Sequence, residues 1–220
     1  LIGHSGLRKL TITNVQIERK GCAALAKLLQ TPKSKLTALH LLDTRINDQW
    51  VNIFASGLSR NSTLMELEIR GAGEVTVSGW QAILAAFPQC EVKKLAISSG
   101  GNEVNDTVIL SLSNALLNKT TLKTLDLSNN GSITIVGWNV LFQLLQGSNS
   151  ALENLNLSCN CGNQCTAGYK SNIGCARSRN KTVCDYNAHR IPFDLAISLL
   201  ACIFNFVVLI RQSSLSNFGL

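Results

Sequence analysis

The residues best suited to chemistry are cysteines. Cys159, Cys161, Cys165, Cys175 and Cys184 crowd into one short stretch of the chain. Cys161 and Cys165 have the spacing of half a zinc site, and His189 stands nearby, but no second close pair follows. Disulfides forming a cap are a second reading; that requires an oxidising compartment and leaves one of the five thiols over. The third is an irregular segment with no natural continuity with what precedes it, such as a shifted reading frame produces. Cys22, Cys90 and Cys202 lie alone in apolar settings and read as buried thiols. No bound metal and no cofactor are expected.

Catalytic motifs are missing. There is no Gly-x-x-x-x-Gly-Lys-Ser/Thr phosphate loop, no His-Glu-x-x-His and no Gly-x-Ser-x-Gly elbow. His4, His40 and His189 are scattered, and His40 reads as a surface histidine. Glu66 and Glu68 alternate along one stretch, so they share a strand face; beside Arg70 they read as a solvated acidic pair. The chain is expected not to be an enzyme.

What positions these residues is a repeat. "LRKLTI" begins at Leu7, "LTALHL" at Leu36, "LMELEI" at Leu64, "VKKLAI" at Val92, "LKTLDL" at Leu122 and "LENLNL" at Leu152. The steps are 29, 28, 28, 30 and 30 residues. Each unit reads apolar-x-x-Leu-x-apolar, the alternation of a short strand with one buried face. Helical spacing follows: Trp80, Ile83, Leu84 and Phe87 share a face, as do Trp138, Leu141, Phe142 and Leu145. "EVTVSGW" and "SITIVGW" are two copies of one strand-to-helix passage, with Gly79 and Gly137 before the tryptophans. Polar turns such as "QTPKSK", "SRNST" and "QGSNS" return the chain to the next strand.

Over residues 5 to 160 this pattern resembles the leucine-rich repeat family in its ribonuclease-inhibitor-like subclass. The resemblance implies a curved α/β solenoid, with parallel strands on the concave side and helices outside. One strand–helix unit cannot bury its own apolar stripe, whereas stacked units can. The family often places Asn three residues after the last strand leucine. Here that position reads Val15, Thr44, Ala72, Gly100, Asn130 and Asn160, so the early turns are expected to be irregular or tied by other groups. The cysteine stretch, beginning Cys-x-Cys, also resembles the flanking caps of extracellular members.

Residues between the strand leucines face away from the helices, onto the concave surface. A partner protein is expected there, contacting Lys9, Thr11, His40, Glu66, Glu68, Arg70, Lys94, Asp126, Asn154 and Asn156, with His40 and Arg70 foremost. In one relative the solenoid accelerates GTP hydrolysis by a GTPase; Arg45, just after a strand, is the residue that would serve such a reading here.

The predicted organisation is a repeat domain over 1–160, a cysteine-rich basic linker or cap over 161–190 and a hydrophobic segment over 191–220. The net charge is +7, but residues up to 158 hold fourteen Lys/Arg against eleven Asp/Glu, nearly balanced, so more than half of the excess lies in the shorter remainder. The basic charge therefore does not describe the repeat domain, and nucleic-acid binding is not expected. Residues 195–210 carry no charge. As a helix they are somewhat short for a bilayer, and they predict either a tail anchor or a packed closing segment. The expected location is cytoplasmic, with membrane association as the alternative. The chain begins with Leu1, which reads as a fragment or processed product. Asn61-Ser62-Thr63 and Asn118-Lys119-Thr120 match the glycosylation triplet and would matter only in a secreted protein.

Overall fold

The computed structural model describes residues 6–87, 91–100, 103–117, 121–145, 152–157, 160, 175–178 and 181–184. The hydrophobic segment at 195–210 lies outside the described residues, as do Cys90, Asn118, Cys159, Cys161, Cys165, His189 and Cys202. Among the described residues no helix is long and apolar enough to cross a membrane.

Strands and helices alternate. They are β1 (Lys9–Thr13), α1 (Arg19–Gln30), β2 (Ala38–Leu42), α2 (Asp48–Leu58), β3 (Glu66–Arg70), α3 (Val77–Ala86), β4 (Lys94–Ser98), α4 (Asp106–Leu116), β5 (Thr124–Asp126), α5 (Ile135–Leu145) and β6 (Asn154–Asn156). A separate antiparallel hairpin, β7 (Cys175–Ser178) with β8 (Lys181–Cys184), sets Cys175 opposite Cys184. The first six strands form one parallel sheet in chain order. Their register aligns the repeat: Leu10, Leu39, Leu67, Leu95, Leu125 and Leu155 are successive partners across the sheet. Those leucines meet the helices on one side, where Phe54, Trp80 and Phe87 are fully buried. Trp80, Ile83, Leu84, Phe87, Trp138, Leu141 and Leu145 all enter the core, and the Trp138 and Phe142 rings stack with centroids 6.3 Å apart. Cys22 is buried too, and burial pushes its thiol pKa up to about 11.

The helix starts show a two-unit period. Asn47 and Asn105 cap α2 and α4, accepting from the backbone N–H groups of Gln49 and of Thr107 and Val108. The next residue, Asp48 or Asp106, instead serves the following helix. Asp48 accepts from the backbone and hydroxyl of Thr76 and from Ser78; Asp106 accepts from the backbone and hydroxyl of Thr134. Here a carboxylate from one repeat caps the helix of the next. Gly79 and Gly137 make room for it: a Cβ there would stand 2.2 Å from Asp48 Oδ1 or 2.4 Å from Asp106 Oδ1.

The strand-to-helix turns resolve the missing asparagines. Asn14, Asp43, Gly71, Gly100 and Asn129 take positive φ, residue types that tolerate it. In the early units the strands are five residues long and pairing runs on: Asn14 N–H donates to Leu42 O and Asp43 N–H to Arg70 O. In the late units β5 and β6 are three residues long, and Asn side chains take over. Asn130 Nδ2 donates to Ile97 O and Leu127 O, and its Oδ1 accepts from Ser99 N–H. Asn160 repeats this with Leu127 O, Leu157 O and Asn130 N–H. Longer strand pairing thus replaces the asparagine ladder in the first units.

Candidate functional site

The face opposite the helices is built from every second strand residue. Because the register is exact across β2, β3 and β4, His40 is the direct partner of Glu68, which pairs in turn with Ala96, and Glu66 pairs with Lys94. The side chains therefore line up across the sheet, at the roughly 4.8 Å strand spacing.

His40 is not a surface histidine: it is 7% exposed. The two glutamates of β3 cover it. Nε2 lies 3.2 Å from Glu66 Oε1, and Nδ1 lies 3.5 Å from Glu68 Oε2. Spacing along β2 alone gives no sign of this, because the covering residues are one repeat away.

Charges extend from this centre in both directions. Lys94 Nζ contacts Glu66 Oε1 at 2.5 Å. Arg70 Nε donates to Glu68 Oε1. Its Nη2 reaches Asp126 Oδ2 at 2.8 Å and its Nη1 reaches Ser128 Oγ at 3.2 Å, passing over a whole strand to β5. The residues of β4 between them are Ala96 and Ser98, small enough to leave room. Asp126 also accepts from the Ser128 backbone at 3.0 Å and from Asn156 Nδ2 at 2.9 Å.

The electrostatics follow from these partners. Burial works to raise the Glu66 pKa, but the Lys94 hydrogen bond and charge, with His40, outweigh it and hold the carboxyl below its ordinary value. So Glu66 and Glu68 are not a simple solvated pair. Asp126 likewise sits below its ordinary value: burial opposes, while Ser128 and Arg70 prevail. Burial of Arg70 is overcome by Asp126 and Glu68, which keep the guanidinium charged.

Of the ten residues expected at a partner surface, His40, Glu66, Glu68, Arg70, Lys94, Asp126 and Asn156 form one connected network. Asn154 stands beside it, 3.5 Å from Thr124 Oγ1. Lys9 and Thr11 are exposed on β1 and do not join it. Ala38, Ala96, Ser98 and Ser128 share this face but are buried, so it is less open than alternation predicts. Ser128, which alternation places on the same face two positions after Asp126, is not among the ten but joins the network through Arg70 and Asp126. Arg45 is exposed on the β2–α2 connection at φ 46°. Asn61 is buried and its Nδ2 donates to Leu29 O at 2.8 Å, so the amide a glycan would need is already engaged.

No family model matches the chain, and no curated protein shows a significant match to it. Solved structures do resemble it. A tropomodulin C-terminal domain from Caenorhabditis elegans has a TM-score of 0.53 at 12% identity, over 65% of this chain and 84% of that one. A structure described as leiomodin-1 actin-binding site 2 gives a TM-score of 0.47 at 18% identity, over 64% of this chain and 83% of that one. The fold is α/β and leucine-rich-repeat-like, with six parallel strands and alternating helices.

Proposed function

We propose that the chain is a non-enzymatic scaffold that binds a partner protein on the strand face opposite its helices. One observation carries this reading: seven charged or polar side chains on that face are fixed against one another on a rigid parallel sheet. Side chains already held in place lose little entropy on docking, which favours affinity for a complementary polar surface. Exposed Lys9 and Thr11 lie at the rim of the same face. Repeats of 28 to 30 residues, each with a full helix, support the ribonuclease-inhibitor-like subclass within the broader repeat fold.

The test is site-specific photocrosslinking in cells. A crosslinking residue replaces Thr11 or Asn156 on the strand face, and Gln81 on α3 as the control. The reading requires one discrete adduct from the strand positions, at least several-fold stronger than from Gln81, and its loss in Arg70→Glu. Equal labelling from both faces would refute it.

A further inference from the structure

His40, Glu66 and Glu68 hold more than a place in a docking surface. Among the described residues they form a group of three metal-ligand types whose donor atoms all lie within 4.8 Å of one another. Two glutamates in proximity would mean little. The histidine is the second observation. It is buried, it lies between the carboxylates, and its Nε2 meets Glu66 Oε1 at 3.2 Å as a charge contact without the alignment of a full hydrogen bond. A buried imidazole nitrogen so poorly satisfied is costly, and native structures normally provide it with a well-aligned partner.

We propose that His40 Nε2, Glu66 and Glu68 bind one divalent transition cation, with zinc the best match to the donor set. One imidazole nitrogen with two carboxylate oxygens suits zinc and its first-row neighbours. Metal–ligand bonds of about 2.0 to 2.2 Å set tetrahedral donor pairs roughly 3.3 to 3.5 Å apart. Glu66 Oε1 lies 3.2 Å from Nε2, close to that, whereas Glu68 Oε2 lies 3.5 Å from the other ring nitrogen, Nδ1, so an ion on Nε2 requires the Glu68 carboxylate to swing toward it. The Lys94 and Arg70 ion pairs use the Oε1 atoms of Glu66 and Glu68, so neither pair occupies the Oε2 atoms. Across the network two cations, Lys94 and Arg70, face three carboxylates, which leaves negative charge in excess beside His40. The Lys94 ammonium opposes a bound cation and weakens the site. Three protein ligands leave at least one position for water or for a donor from another molecule. The site does not depend on a protein partner, so either proposal can fail alone.

The full chain, stripped with chelator, is titrated with Zn²⁺ by equilibrium dialysis and with Co²⁺ followed by absorbance. Cysteines elsewhere in the chain could also take these metals. Co²⁺ separates the cases, because thiolate ligands give a strong near-ultraviolet charge-transfer band and N/O ligands do not. The expected result is one equivalent bound without that band. Affinity should fall at least tenfold in His40→Gln and in Glu66→Gln, and rise several-fold in Lys94→Met. Where His40→Gln fails to fold by circular dichroism, the partly exposed Glu66 and Lys94 positions still decide. Unchanged affinity in Glu66→Gln, bound metal carrying the thiolate band throughout, or no binding at all would overturn the proposal.

Discussion

Arg70 shows how much one side chain can organise. It joins β3 to β5 through Glu68, Asp126 and Ser128, and its loss leaves two partly buried carboxylates without their cation. Arg70→Ala should cost about 1 to 3 kcal/mol in urea unfolding. Lys123→Ala breaks the Lys123–Glu153 pair, whose side chains are both more than half exposed; it should cost at most about 0.5 kcal/mol. Equal costs would mean the network is only a surface decoration. The same carboxylates set the acid response. Asp48, Glu66 and Asp126 all have depressed pKa values in the fold. Their stabilisation is therefore complete above the ordinary carboxylate range, and it is lost as pH falls below about 4 through the depressed values. Unfolding free energy measured from pH 7 to pH 3 should drop in the lowest unit, by no more than about 1.4 kcal/mol per pH unit per carboxyl. Asp126→Asn should make that drop shallower. Sequence named most of these residues, because alternation fixes which strand positions share a face. It could not show that His40 is buried, because the side chains that cover it come from the neighbouring repeat.

At the scale of elements, the leucine ladder and the two tryptophan faces were legible because the period is nearly constant and each half-unit has its own spacing. Two devices were not. The first is the capping of one helix by the preceding repeat's aspartate. "NDQ" and "NDT" look like ordinary local caps, and only stacking shows that Asn47 and Asp48 serve different helices. Ala is normally favoured over Gly in a helix by about 1 kcal/mol. At Gly79 the sign should reverse, because the added methyl would meet Asp48 Oδ1 and Val75. Gly79→Ala should destabilise by about 1 to 3 kcal/mol, and by less in an Asp48→Ala background, a coupling read from a double-mutant cycle of urea melts. Strict additivity would show that Asp48 does not occupy that space. The second device is the exchange of asparagines for longer strand pairing. Val15 and Thr44 look like defects in the pattern, yet the turns there are tied by backbone bonds from Asn14 to Leu42, Ile17 to Thr44 and Asp43 to Arg70, whose reach depends on the register of the sheet. Asn130 has no such substitute. Asn130→Ala removes the side-chain partner of Ile97 O and of Ser99 N–H in a buried turn, while Leu127 O keeps Asn160 Nδ2, and should cost about 1 to 3 kcal/mol by the same melts.

Over the whole molecule these ties are unevenly distributed. Repeat arrays are stabilised by nearest-neighbour interfaces, so a unit held on both sides opens less readily than one held on a single side. Between β2 and β4 the register runs over five residues at each interface, every strand has two neighbours, and the Arg70 bridge leads on to β5. The β4–β5 and β5–β6 interfaces each pair only three residues, with asparagine side chains doing the rest. On β1 the core residues Leu10 and Ile12 are only partly buried, as is Leu155 on β6, whereas Leu39, Leu67 and Leu125 are fully covered. Native-state hydrogen exchange should therefore grade along the array. The amides of β3 and its neighbours on β2 and β4 should exchange slowest, and those of β1 and β6 at least tenfold faster, a difference of about 1.4 kcal/mol in opening free energy. Arg70→Ala should narrow the gradient by raising exchange in β3 and β5 while leaving β1 unchanged. Uniform protection from β1 to β6, rising together in the variant, would instead mean that the six strands open as one cooperative unit and that the Arg70 bridge stabilises all of them equally.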